Sequence, residues 1–132
     1  ERGRGGFVVT SSGSALAGTG GVALYSATKA FAVNFAEALG WELRDAGVHV
    51  QAIVAPTMET PGFARGGADR SEMHVPPVKP REVIARGLDE LHLGGRWLAD
   101  AGLEFVDTID RRDRVDLISK ATVAMYPQML ER

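Results

Sequence analysis

The stretch "SSGSALAGTGGVALYSATKA", residues 11–30, holds two candidate chemistries. Gly18-Thr19-Gly20-Gly21-Val22-Ala23 fits G-x-G-x-x-A, in which a glycine turn sets a helix N-terminus against a phosphate. The same stretch carries Ser12, Tyr25 and Lys29, a set able to move a proton. The flanking sequence decides between them.

Upstream, Phe7-Val8-Val9-Thr10 is a β-branched and aromatic run that predicts a buried strand over 7–10. Residues 11–22 are small and glycine-rich and predict a loop. Downstream, Leu24, Ala27, Phe31, Phe35, Leu39 and Leu43 recur at helical spacing and predict an amphipathic helix over 22–46, stopped by Gly47. "VHVQAIVA", 48–55, is apolar along most of its length, as a strand covered on both faces should be.

Residues 56–79 shift to prolines, glycines and charges of both signs, a composition typical of lids and binding segments. Pro80 suits a first helical turn, and Val83, Ile84, Leu88 and Leu91 give a helix over 80–93 an apolar face. Gly94-Gly95 ends it before a strand at 96–99. A last helix is expected over 111–126, with Val115, Ile118, Thr122 and Met125 on one face and the charge run 110–114 as its solvated start. Alternating strands and helices predict one α/β domain over 1–132 with a parallel sheet. In such sheets functional groups collect at the strands' carboxyl ends, here Thr10-Ser11-Ser12 and Ala55-Pro56-Thr57.

Composition narrows the classes. A length of 132 residues fits one domain with a true core. A net charge of -2, with few aromatics and none interleaved with basic residues, argues against a nucleic-acid partner. With no cysteine, thiolate metal sites, disulfides and cysteine nucleophiles are excluded. No apolar run approaches the ~18 residues of a membrane span, and no signal-peptide pattern opens the chain. A cytoplasmic protein without a membrane partner is expected. His49, His74 and His92 are scattered, so no metal site is expected, and Trp41 and Trp97 read as packing residues. The opening "ERGRGGFVVT" has no initiator methionine and reaches a strand seven residues in, which predicts the C-terminal part of a longer chain.

The phosphate pattern then fails on position. Its first glycine should follow the strand directly, but the residues between Thr10 and Gly18 intervene. The acidic residue expected at the end of the next strand is replaced by Ala55 and Pro56, with Glu59 only in the loop beyond. These glycines read as a turn. Tyr25 and Lys29, by contrast, are four apart on one helical face, near the positive end of the helix dipole. An ammonium there stabilises a phenolate. Ser12, at a strand end, can donate to an oxygen that is gaining negative charge. Tyr-x-x-x-Lys alone is a common spacing without meaning.

Its context is specific. "GGFVVTSSGSALAGTGGVALYSATKAFAVNFAEALGWEL" resembles the short-chain dehydrogenase/reductase family, in which a strand leads to a Ser and Tyr-x-x-x-Lys follows thirteen residues on. The likeness covers about residues 5–63. It implies a Rossmann-like three-layer fold, incomplete here because the N-terminal dinucleotide-binding half is absent. It also implies hydride transfer between NAD or NADP and a small-molecule alcohol or carbonyl, as in a ketoreductase. By that likeness Tyr25 is the acid/base, Lys29 tunes it and binds the nicotinamide ribose, and Ser12 orients the substrate oxygen.

Pro56, Thr57 and Thr60 fall where the family's Pro-Gly and a nicotinamide-binding Thr stand, with Thr57 replacing the glycine and Thr60 one position early. The family's glycine-rich phosphate loop and the Asn of its catalytic tetrad are not in these residues, so the isolated chain is expected to be inactive. Helix 22–46, with Phe31, Phe35 and Leu39, would form a homo-oligomer contact. Met58, Phe63, Met73 and Val75 in the long loop point to apolar substrate contact. A non-catalytic scaffold serving as a binding module is the competing expectation.

Overall fold

A computed structural model describes residues 4–73, 75–99 and 101–129. Its organising element is strand β2, Val48–Ala55. Strand β1, Gly5–Ser12, runs parallel to it from Gly5 opposite Val48 to Ser12 opposite Ala55. Strand β3, Gly95–Leu98, is parallel on the other edge, so the order is β1-β2-β3. Residues 50–55 of β2 are all buried, which explains why the segment is apolar on both faces.

The two-residue period of a strand divides those side chains between two cores. Val50, Ala52 and Val54 face helix α1, Ala23–Leu43, joined by Val9 of β1 and Leu98 of β3. Leu103 and Val106 of helix α4, Ala101–Thr108, and Ile118 of helix α5, Arg111–Met125, complete that layer. Ile53 and Ala55 face the other way, toward Val83 and Ile84 of helix α3, Pro80–Asp89, with Val8 and Trp97. Helices cover both faces of a parallel sheet, and the fold is three-layer, Rossmann-like α/β, as the pattern of elements predicts.

Several elements differ from the sequence reading. Strand β1 runs from 5 to 12 because β2 offers partners along its whole length. The helix expected over 80–93 is α-helical only to Asp89 and continues as a 3-10 turn over Leu91–Leu93, ended by Gly94 at φ +66. Helix α4 lies where no element was expected; its signal was the short i, i+3 pair Leu103 and Val106. The long loop contains a short helix α2, Pro61–Arg65, and a 3-10 turn over Arg70–Glu72. His74, one of the three histidines read as lacking a metal role, lies outside the described residues.

The apolar residues of α1 divide between two faces. The stripe of Leu24, Phe31 and Phe35 does not meet the sheet: these three are exposed, with the two phenyl rings stacked at 5.8 Å. The sheet side is made instead by the small residues Ser26, Val33 and Ala36. At Gly40 a side chain would begin 3.4 Å from the Val50 carbonyl oxygen, so the helix lies too close to the sheet for bulk there. Leu39 and Leu43 do pack against this core. Trp41 is likewise exposed, its ring 4.1 Å from the Arg44 guanidinium, whereas Trp97 packs in the α3 layer.

The run 110–114 is not simply a solvated start either. Asp110 caps α5 by accepting from the Arg112 N–H at 2.9 Å. Arg114 is only 15% exposed and pairs with Asp107 at 3.0 Å. It also donates to the Leu16, Asp107 and Ile109 carbonyls, stapling the loop after β1 to the α4–α5 corner.

Two stability outcomes follow. Gly87 of α3 sits against Ile53, with Ile53 Cγ1 only 2.9 Å and Trp97 Cε3 3.3 Å from where its Cβ would lie. Because Ile53 is fully buried, Gly87→Ala should destabilise by about 1–2 kcal/mol in urea unfolding, overpacking outweighing the gain in helix propensity. Equal or higher stability would mean that the α3 layer gives way. Arg114→Ala takes a donor from three carbonyls and leaves Asp107 to Arg96 alone, and should cost about 1–3 kcal/mol by the same measurement.

Candidate active site

Parallel pairing in register brings the carboxyl ends of β1 and β2 together, Ser12 opposite Ala55. Ser12 closes β1 in extended conformation and caps the 3-10 turn Gly13–Ala15, its hydroxyl oxygen accepting from the Ser14 N–H at 3.3 Å. Its hydroxyl proton remains available to donate. Ser11, one residue earlier and pointing to the opposite face, is buried and donates to the Lys29 carbonyl at 2.8 Å. That bond fixes α1 against the end of β1.

Lys29 then reaches back along its own helix. Its ammonium donates to the Thr10 carbonyl at 3.4 Å and lies 5.6 Å from the centroid of the Tyr25 ring. Tyr25 stands in the first turns of α1 and is 46% exposed, and its hydroxyl has no hydrogen-bond partner among the described residues. The structure therefore brings Tyr25, Lys29 and the end of β1 into one neighbourhood. Ser12 joins it through the backbone, two residues beyond Thr10, and not by a side-chain bond to either.

Two backbone donors of the glycine span are engaged within the protein. The Thr19 N–H donates to Ser26 Oγ at 3.2 Å, and the Gly20 N–H donates to Ser119 Oγ of α5 at 2.7 Å. Gly21 takes φ 79, the left-handed turn that the sequence reading assigns to these glycines. A depression of about 500 Å³ opens beside this span, lined among others by Ala17, Gly20, Ala27, Arg111, Val115 and Ser119. Its α1 lining, Ala23, Ser26, Ala27 and Ala30, lies on a different side of the helix from Tyr25 and Lys29.

Beyond β2 the chain passes Pro56 and Thr57, both half-buried. The Thr57 carbonyl accepts from the Val78 N–H at 3.0 Å and the Glu59 N–H donates to the Val78 carbonyl at 2.9 Å. These bonds clamp the base of the long loop. No described non-glycine residue has positive φ, so Thr57 follows an ordinary backbone path where a glycine could have turned left-handed. Thr60 caps α2, its hydroxyl oxygen accepting from the Phe63 N–H at 3.0 Å. Met58 packs into the α3 layer and so anchors the loop; Val75 is exposed. Arg70 pairs with Glu59 at 3.3 Å and lies 5.8 Å from the Phe63 ring centroid. Hydrogen bonds from the Ser71 hydroxyl and N–H hold the Asp69 carboxyl below its ordinary range.

Sequence reasoning passed over Ser11, Ser26, Ser119 and Tyr126. The first had a signal: in a strand covered on both faces, one of two successive serines must point inward and find a partner. Tyr126 had none, because it follows the last apolar position of a helix. It caps α5, and burial raises its phenol above the ordinary range, with the Tyr25 hydroxyl adding to the rise. Among the described residues no helix is long and apolar enough to cross a membrane.

A family model described as short chain dehydrogenase matches residues 1–71, a little over half of the chain. None of the curated proteins matches. Among solved structures, one from a study of 7β-hydroxysteroid dehydrogenase stereoselectivity is similar at 18% identity and a TM-score of 0.71, over 89% of this chain and 48% of that one. Another, assigned as a short-chain dehydrogenase/reductase from Burkholderia xenovorans, is similar at 20% identity and a TM-score of 0.63, over 79% and 45%. The chain thus spans just under half the length of either structure, and at these identities they speak for the fold. With the matched segment carrying Ser12, Tyr25 and Lys29, the chain belongs to the short-chain dehydrogenase family.

Proposed function

We propose that this chain carries the reaction end of a nicotinamide-dependent oxidoreductase that interconverts an alcohol and a carbonyl. The observation that carries the reading is the position of one ammonium. Lys29 Nζ lies 3.4 Å from the Thr10 carbonyl oxygen, two residues before Ser12, and 5.6 Å from the Tyr25 ring. A single cation thereby links the strand end to the phenol.

Each residue has a definable task. Tyr25 gives its proton to a carbonyl oxygen that is becoming an alkoxide, or takes one from an alcohol. The Lys29 ammonium stabilises the phenolate left behind, more strongly where solvent is displaced by substrate. The Ser12 hydroxyl donates to the same substrate oxygen and fixes its direction. Ser11 holds Lys29 in place through the Lys29 carbonyl.

The donor set suits the nicotinamide end of NAD or NADP. Of the three ammonium donors of Lys29 one is engaged by Thr10, leaving two for ribose hydroxyls. Pro56, Thr57 and Thr60 stand at the adjoining strand end, where the Thr60 hydroxyl keeps its proton to donate because its oxygen accepts in the α2 cap. A bound nicotinamide supplies or accepts the hydride. The Thr19 and Gly20 N–H groups of the glycine span are engaged internally, which supports a phosphate site elsewhere. The exposed Leu24, Phe31 and Phe35 on α1 support a second copy of the protein as partner, through this helix.

In the complete protein Tyr25→Phe should lower kcat by at least ~100-fold, since the general acid/base is removed while the ring stays. Undiminished hydride transfer in that variant would overturn the Tyr25 assignment, and no hydride transfer by the unsubstituted complete protein would favour the non-catalytic scaffold. Isothermal titration of the 132-residue chain alone should give no measurable NAD(P)H binding. Micromolar affinity there would mean that the phosphates are held within these residues.

A further inference from the structure

Helix α1 lies on the sheet through small and aliphatic side chains, Val33 and Ala36 against Val50, Ala52 and Val54. Such contact is non-directional and does not by itself fix how far the helix slides along the strands. Among the described residues two hydrogen bonds join α1 to the sheet, and both meet at Lys29. The Ser11 hydroxyl donates to the Lys29 carbonyl at 2.8 Å, and the Lys29 ammonium donates to the Thr10 carbonyl at 3.4 Å. Successive residues of β1 therefore hold the backbone and the far end of one helical side chain.

Neither packing nor the hydrogen bonds of the helix require this serine. A mid-helix carbonyl already accepts from the N–H four residues on, so Ser11 brings Lys29 a second donor and not a missing one. Ser11 is 3% exposed on the face that it shares with Val9, where an apolar side chain would pack with no polar group to satisfy. What the hydroxyl adds is direction. At 3.4 Å the ammonium bond is longer than the usual range, so a small lift or slide of α1 breaks it. The 2.8 Å bond at the other end of the same residue opposes that movement. Holding the ammonium in place before substrate arrives removes an ordering cost from the reaction.

Resting on the reading of Tyr25 as the acid/base and Lys29 as its tuning cation, we propose that Ser11 is a positioning residue of the reaction. It sets the place of α1 along β1 and so keeps the Lys29 ammonium at the Thr10 carbonyl, 5.6 Å from the Tyr25 ring centroid. Buried as it is, Ser11 acts through Lys29, and its effect should vanish once the ammonium is removed.

The test is a double-mutant cycle in the complete protein: Ser11→Ala, Lys29→Met and the two together. Ser11→Ala should lower kcat about tenfold and leave the KM for the alcohol or carbonyl little changed. In the Lys29→Met background the same substitution should cost less than about twofold. Equal losses in the two backgrounds, or full activity in Ser11→Ala, would overturn the assignment. Amine labelling gives a readout that needs no turnover. Acetylation of Lys29 by acetic anhydride is followed by mass spectrometry against Lys79 and Lys120, whose side chains are 73% and 76% exposed. Ser11→Ala should raise the relative rate at Lys29 about threefold, the worth of one modest hydrogen bond. Gly87→Ala, strained on the other face of the sheet, should leave it unchanged. A constant ratio in Ser11→Ala, or an equal rise in Gly87→Ala, would also overturn the assignment. If the unsubstituted protein transfers no hydride yet the labelling responds to Ser11 alone, the reaction reading fails and the hold of Ser11 on Lys29 stands.

Discussion

The candidate site depends on a register. Because the side chains of a strand alternate, slipping β1 by one residue against β2 would exchange Ser11 and Ser12 between the faces. Ser11 would lose the Lys29 carbonyl, and Ser12 would no longer stand at the open end beside Ala55. What holds the register is burial: Val9 must face α1 and Val8 must face α3, and β2 admits no polar residue on the α1 side between Val50 and Val54. The chemistry at the strand end is therefore specified by side chains several residues away from it.

Helix α1 shows how closely function and packing are tied in this chain. Its inner face is small, so the helix axis can approach the sheet, and that approach brings the Lys29 ammonium to the Thr10 carbonyl. Bulk at Ser26, Ala36 or Gly40 would lift the helix and lengthen that contact. The large apolar residues are consequently displaced to the outer face, where Leu24, Phe31 and Phe35 form a stripe of the kind that copies of a protein use to meet. Close approach on one side and an exposed apolar stripe on the other are two results of one constraint.

The same constraint explains what was legible in the sequence. Element types follow from local patterns: the apolar run at 48–55 and the Pro80 start of α3 mark themselves. Which face of α1 points inward does not, because counting large apolar residues assumes that bulk marks the core. In a helix laid close on a parallel sheet, alanine, serine and glycine mark it instead. The trio Ser12, Tyr25 and Lys29 was legible because its spacing is written within eighteen consecutive residues of sequence. Ser119 and Tyr126 were not, because each acts on a loop far away in sequence, Gly20 and Gly66. Arg114 was misread for the same reason: its carbonyl partner Leu16 lies ninety-eight positions upstream.

The glycine span links these observations. A loop rich in backbone N–H groups before a helix can satisfy them with a phosphate or with its own side chains, but not with both. Here two hydroxyls take two of the donors, Ser26 from within α1 and Ser119 from α5. The first sets the entry to the helix that bears Tyr25, and the second ties that entry to the helix that ends at Tyr126. The loop thus spends two of its donors on alignment, tying the entry of α1 to α5. A substitution at Ser119 releases the Gly20 N–H, which makes the glycines of residues 18–21 part of what seats the first turns of α1, where Tyr25 stands.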